Sequence, residues 1–209
     1  MREARLGELV SAVARQALAD AGAARVALAD DGSPEAGLAA RLLEGLGPDA
    51  LVRRGADAPG MEPLLHAVRG LGAGERAARE AAGLAARLEP DALPAAPENK
   101  TVLLLSGALP PEPFLPLGDL YAGEVAELCG GWSAPEALRS LADAAGGIAR
   151  LDGALRAWLD RRDPSALDRL PAGVAEEVRL RFARGRPSRF AVRLVPKVGH
   201  RTLGVDLFE

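Results

Sequence analysis

Apolar residues recur at Leu6, Leu9, Val10, Val13, Ala14, Ala17 and Leu18, the spacing of one helix face. This pattern predicts an amphipathic helix over residues 4–22, ended by Gly22. The period then changes. "RVALA", Arg25 to Ala29, is a short apolar run of the kind that forms a buried parallel strand. Ser33, Pro34 and Glu35 follow as a helix start: a hydroxyl N-cap, a proline at the first position and an acid in the first turn. The helix from Pro34 is expected to run to Gly45–Gly47, with "DALVRR" as the next strand. Strand, helix and strand at this spacing make a βαβ unit, whose crossover is right-handed.

Helical patterns recur in "MEPLLHAVRGL" and in "GERAAREAAGLAARLE", the second rich in Ala, Glu and Arg. "DALPAAPENKT", broken by prolines, reads as a loop. "TVLLLSGAL" is too short to tell a strand from a buried helical turn. "LYAGEVAELCG", "APEALRSLADAAGG", "IARLDGALRAWLDRR" and "PAGVAEEVRLRFARG" predict four more helices, and the tail "FAVRLVPKVGHRTLGVDLFE" is irregular or weakly stranded. The expected architecture is one α/β domain over residues 1–209, a parallel sheet flanked by helices.

Composition narrows the chemistry. The 209 residues carry a net charge of −3, which argues against a nucleic-acid surface, with Arg179–Arg193 the one basic exception. Cys129 is the single cysteine, and with His66 and His200 it is too little for a zinc cluster. The longest apolar run, Val102–Leu105, is far short of a membrane span, and the charged N-terminus lacks a secretory core. A cytoplasmic protein is expected.

The turn after the first strand is unusual. A strand-to-helix turn offers free N–H groups and a partial positive charge to a phosphate. Here it holds Asp30, Asp31 and Glu35. Either these residues cap the helix, or they form a new metal or cation site.

A resemblance frames this turn. "PLGDLYAGEVAELCGG", Pro116 to Gly131, resembles the Pro-Ile-Gly-Asp-Leu-Tyr-Lys-Thr-x-Val segment of ammonia-dependent NAD synthetases, members of the N-type ATP pyrophosphatases. "ENKTVLLL" is similar to that family's Asn-Lys-Ser-Glu-Leu, "LDGALRAWLDRRDP" to its Leu-Asp-x-x-Leu helix, and "PKVGHRTLGVDLFE" to its closing Lys-x-x-x-Arg-Thr-x-Gly-x-Asp. The pieces stand in the family's order along nearly the whole chain. The resemblance implies a Rossmann-like, three-layer adenine nucleotide alpha-hydrolase fold and a homodimer. It also implies ATP and Mg²⁺ as cofactors for amidation of nicotinic acid adenine dinucleotide; charge balance and short apolar runs separately lead to the expectation of neither nucleic acid nor membrane as a partner.

By family position, the residual nucleotide-binding residues are Gly32, Ser33, Arg79, Asn99, Lys100, Thr101, Asp119 and Lys197. The departures matter as much. The family's Ser-Gly-Gly-x-Asp-Ser loop falls on Asp30–Glu35, where only Gly32 matches and two carboxylates enter the cradle. Each like-charge contact with a phosphate would cost on the order of several kcal/mol at an effective dielectric near 20. The family's metal-ligand Glu falls on Val102, which cannot hold a hard cation, and the Lys after Leu-Tyr is Ala122. No residue is left as a confident catalyst or metal ligand. The expectation is a ligase by descent with degraded ATP and Mg²⁺ sites and weak or absent activity. The alternative is a non-catalytic module that binds a nucleotide or a partner.

Overall fold

The computed structural model describes residues 2–55, 75–106, 110–185 and 194–197. Three parallel strands form its sheet: β1 (Arg25–Ala29), β2 (Leu51–Arg54) and β3 (Ala92–Ala95), in the order β2-β1-β3. Two isolated parallel bridges extend the β3 side, Ala95 to Phe114 and Phe114 to Leu194. The strand expected at 25–29 is found, and that expected over 49–54 spans Leu51–Arg54. β3 lies inside the stretch expected as a proline-broken loop, and its register explains how Pro94 is tolerated. The Pro94 carbonyl accepts from the Phe114 N–H, away from β1, so the donor that proline lacks is missing on the thinly paired side.

Side chains alternate across β1. Val26 and Leu28 enter a core with α1 (Arg2–Ala21) and α2 (Pro34–Leu43), through Leu6, Val10, Leu38 and Leu42. Ala27 and Ala29 face the other way, toward Ala82 and Ala86 of α3 (Glu75–Arg87). Methyl groups on both sides of that contact let the helix lie close to the sheet. Helices therefore cover both faces. The winding across the sheet reverses about β1: the crossover through α2 leads to one neighbour, and the path through α3 leads to the other. Right-handed crossovers running in opposite directions place their helices on opposite faces, as found.

The remaining helices are α4 (Lys100–Leu105), α5 (Ala122–Cys129), α6 (Glu136–Ala144), α7 (Ile148–Leu155) and α8 (Ala172–Arg184). Helices α4, α6, α7 and α8 build a second apolar cluster around Leu104, Leu105, Leu138, Leu151, Leu155 and Val178, while α5 packs its Val125 into the first. The ambiguous "TVLLL" is thus helical, capped by Asn99, whose Oδ1 accepts from the Val102 N–H at 3.1 Å. The helix expected over 148–162 ends at Asp160, α7 being followed by a π turn over Arg156–Asp160. No described helix is long and apolar enough to cross a membrane. The helical pattern at 61–71, His66, His200, Arg201, Thr202 and the basic cluster beyond Arg184 lie outside the described residues.

Leu38 is fully buried between α1 and the sheet, whereas Leu88 is 58% exposed. Leu38→Ala is expected to cost about 2–5 kcal/mol in urea denaturation, and Leu88→Ala less than about 0.5 kcal/mol.

Candidate functional site

The turn after β1 is closed on itself. Asp30 Oδ1 accepts from the Gly32 N–H at 3.2 Å, and Asp31 Oδ1 from the Ser33 N–H at 3.1 Å. Ser33 Oγ accepts from the Ala36 N–H at 3.2 Å, and Pro34 brings no donor. Gly32 has φ +77°, a conformation side-chain-bearing residues rarely adopt. Donors that would cradle a phosphate are therefore engaged by the turn's own oxygens.

The charge picture drawn from the sequence is corrected by two arginines. Arg53 Nη2 lies 2.6 Å from Asp30 Oδ2, and Arg79 Nε lies 3.0 Å from Asp31 Oδ2. Arg53 is in reach because β2 pairs with β1 in parallel, setting it opposite Leu28. Arg79 arrives from α3, on the other side of the turn. The carboxylates of the turn are neutralised by partners rather than left facing any anion that approaches.

Behind the turn, Glu35 points inward and is only 4% exposed. Its Oε1 accepts from the Ser133 N–H at 2.8 Å and from Asn99 Nδ2 at 3.5 Å, while Oε2 has no partner among the described residues. Glu98, in the loop after β3, is half-buried, and its enclosed Oε2 is also without a partner. Burial raises both carboxyl groups above their ordinary range, against opposing pulls that include Arg79, and pushes Glu98 up to about 7. Asp31, Ser33, Glu35, Arg79, Glu98 and Asn99 line a cavity of about 10 Å³.

Two larger hollows adjoin it. One, of about 310 Å³, lies over Asp31, Gly32, Ser33, Arg79, Trp132 and Arg139. The other, of about 480 Å³, runs along α3 past Leu84, Val102, Pro110, Pro111 and Pro135. Arg79 borders all three. This crevice sits outside the carboxyl ends of β1 and β3, where their following loops diverge. That is the switch point at which open parallel sheets bind ligands.

Of the residues expected from the sequence, Gly32, Ser33, Arg79 and Asn99 meet at this crevice. Lys100, Thr101 and Asp119 do not line it. All three are buried below α4. Lys100 Nζ donates to Asp160 Oδ1 at 3.1 Å and to Asp119 Oδ1 at 3.4 Å, and lies 4.8 Å from the centre of the Tyr121 ring. Tyr121 donates its hydroxyl to Asp160 Oδ2 at 3.1 Å. Thr101 donates to Asp152 Oδ1 at 2.6 Å and accepts from the Ala122 N–H, while the Gly123 N–H also reaches Asp152. Burial pushes Asp152 up to about 6, against these hydrogen bonds.

Asp119 is thus a partner for Lys100 rather than the cap of α5. That start belongs to Tyr121, whose N–H donates to Glu124. Lys197 is exposed. Cys129 is half-buried, its thiol donating to the Val125 carbonyl.

No family model, curated protein or solved structure matches the chain.

Val102, at the position that the resemblance assigns to a metal ligand, is an apolar wall of the crevice. Among the described residues no group of three or more Asp, Glu, His or Cys could hold a metal ion. What the crevice offers is hydrogen-bond acceptors at its floor, paired arginines at its rim and apolar surface along α3. Sequence reasoning did not single out Glu98, Arg53 or Ser133 as site residues. The available signal was an acid directly after a short strand, opposite the acidic turn.

Two outcomes follow. Lys100→Met leaves Asp119 and Asp160 facing each other without their cation, and is expected to cost about 3–5 kcal/mol. For Glu98 the sign runs against a salt-bridged carboxylate. Between its ordinary value of 4.5 and about 7 the unfolded chain releases the proton while the folded chain keeps it, so its contribution to stability falls as pH rises. Glu98→Gln is therefore expected to melt above the native protein at pH 8 and level with it at pH 4.5. Calorimetric melting across that range is the check.

Proposed function

We propose that the chain is an NAD synthetase-like protein by descent, of the adenine nucleotide alpha-hydrolase type. On this reading it has given up ATP-dependent amidation of nicotinic acid adenine dinucleotide. It acts instead as a non-catalytic, homodimeric module that binds a nucleotide or a partner through the crevice at β1 and β3. Support for descent comes from the motif pieces in family order and from helices on both faces of a parallel sheet. Support for lost chemistry comes chiefly from one observation: at the turn from Asp30 to Glu35 the Gly32, Ser33 and Ala36 N–H groups are taken by the turn's own side chains.

The surrounding residues agree. A phosphate would have to displace Asp30 and Asp31 from both their N–H groups and their arginines. Val102 brings no oxygen for Mg²⁺. Lys100 cannot reach a ligand while its ammonium is held between Asp119 and Asp160, fully buried. Adenylation needs phosphate contacts, a metal and a cation together, because its transition state spreads negative charge over the transferred group. With these contacts absent, binding can persist where catalysis does not.

Purified protein supplied with ATP, Mg²⁺, ammonia and nicotinic acid adenine dinucleotide is expected to form no NAD above background. Titration calorimetry with Mg-ATP is expected to show no micromolar binding. Turnover near 1 s⁻¹, within the ordinary enzyme range, would show the ligation chemistry to be intact.

A further inference from the structure

Glu35 is almost wholly enclosed, yet among the described residues its Oε2 lacks a hydrogen-bond partner, and so does the enclosed Oε2 of Glu98. Both residues line the same cavity of about 10 Å³ at the floor of the crevice. Acceptors left bare in an interior are costly, and a donor brought to them recovers that cost. The space fits one small group: about the volume that admits a single water-sized atom with its hydrogens. Asn99 and Ser133 already donate to Glu35 Oε1, which fixes that carboxyl and leaves Oε2 as the open acceptor.

Immediately beside this floor, the hollow of about 480 Å³ shares Arg79, Glu98 and Val102 with it. Leu84, Val102, Pro110, Pro111 and Pro135 line it with apolar surface. Its two further glutamates are Glu80 and Glu112, and Glu112 is held by Arg87. Arg79, the cation nearest the floor, is engaged with Asp31.

We propose that this compound site binds a primary amine with an apolar body. The ammonium group enters the small cavity and donates to Glu35 Oε2 and Glu98 Oε2, and the hydrocarbon lies along α3 against Leu84, Val102 and the prolines. An ammonium supplies up to three donors from one compact atom, which matches two bare acceptors in a space of this size. A hydroxyl supplies one donor and no charge. A quaternary ammonium supplies none and is too bulky for the cavity. Binding leaves the amine charged between the carboxylates; a proton held by either carboxyl leaves to solvent, its O–H the sole bond broken, and no bond to the amine is made.

This deepens the reading of the crevice as a non-catalytic binding site and rests on it. Mg-ATP is therefore titrated in parallel, so that failure of that reading is told apart from failure of the amine site. The probes are hexylamine, 1-hexanol and hexyltrimethylammonium, added to the full chain at pH 7.5 in a calorimeter. Hexylamine is expected to bind at least about tenfold more tightly than either of the others, a difference of about 1.4 kcal/mol. Propylamine is expected to bind more weakly than hexylamine, by loss of contact with the apolar wall. Glu35→Gln and Glu98→Gln are each expected to weaken hexylamine at least about tenfold without weakening 1-hexanol.

The series on the native protein decides the question even where a variant fails to fold. Equal binding of amine and alcohol, or no amine binding up to roughly 10 mM, overturns the proposal. So does a crystal soaked in hexylamine that shows only a water between the two carboxyl groups.

Discussion

Strand β1 is hydrogen-bonded in parallel on both sides, and the arrangement at the sheet's carboxyl edge follows from that. A central parallel strand must bury both faces, so beyond Arg25 at its start β1 is apolar: Val26 and Leu28 toward α1 and α2, Ala27 and Ala29 toward α3. Because its two neighbours are reached through opposite faces, the loops leaving β1 and β3 part at their carboxyl ends. The gap between them is the crevice. Arg53 reaches Asp30 from the strand on one side, and Arg79 reaches Asp31 from the helix packed on one face.

Buried charge is handled in two different ways within a few residues of chain. Below α4, Lys100 is matched by Asp119, Asp160 and the face of Tyr121, and Asp152 by Thr101 and the Gly123 N–H. Those groups tie α4, α5 and the end of α7 together as a structural knot. At the crevice floor the matching is incomplete: Glu35 and Glu98 each retain an enclosed oxygen without a partner. A satisfied buried network holds a fold in one arrangement, whereas bare acceptors in a lined cavity leave free energy for a donor to recover. The difference separates scaffold from site more sharply than residue identity does. Lys100 and Asp119, chosen from the sequence for their resemblance to nucleotide contacts, belong to the scaffold.

The fold was legible where local pattern and tertiary role coincide. The 3.6-residue period of α1, the apolar run of β1 and the Ser33-Pro34-Glu35 start of α2 each announce themselves over a few residues, and each is found. β3 escaped notice because Pro94 argues locally against a strand, and only the sparse pairing on one side of it removes the objection. The acidic turn was legible as a departure from a phosphate loop. Its electrostatics were not, since Arg53 and Arg79 lie 23 and 48 residues away in the chain.

The sequence by itself determined the alternation of strands and helices, the helix start at Ser33, and the absence of an oxygen ligand at Val102. These depend on backbone conformation and side-chain type, properties each residue carries with it. Tertiary structure alone decided which carboxylates are paired and which are bare. It neutralised Asp30 and Asp31, enclosed Lys100 between two aspartates, and brought Glu35 and Glu98 to one cavity from different loops. The reason is physical: the energy of a charge is set by solvent exclusion and by neighbours within a few ångströms, and in a parallel α/β sheet those neighbours come from distant segments of the chain.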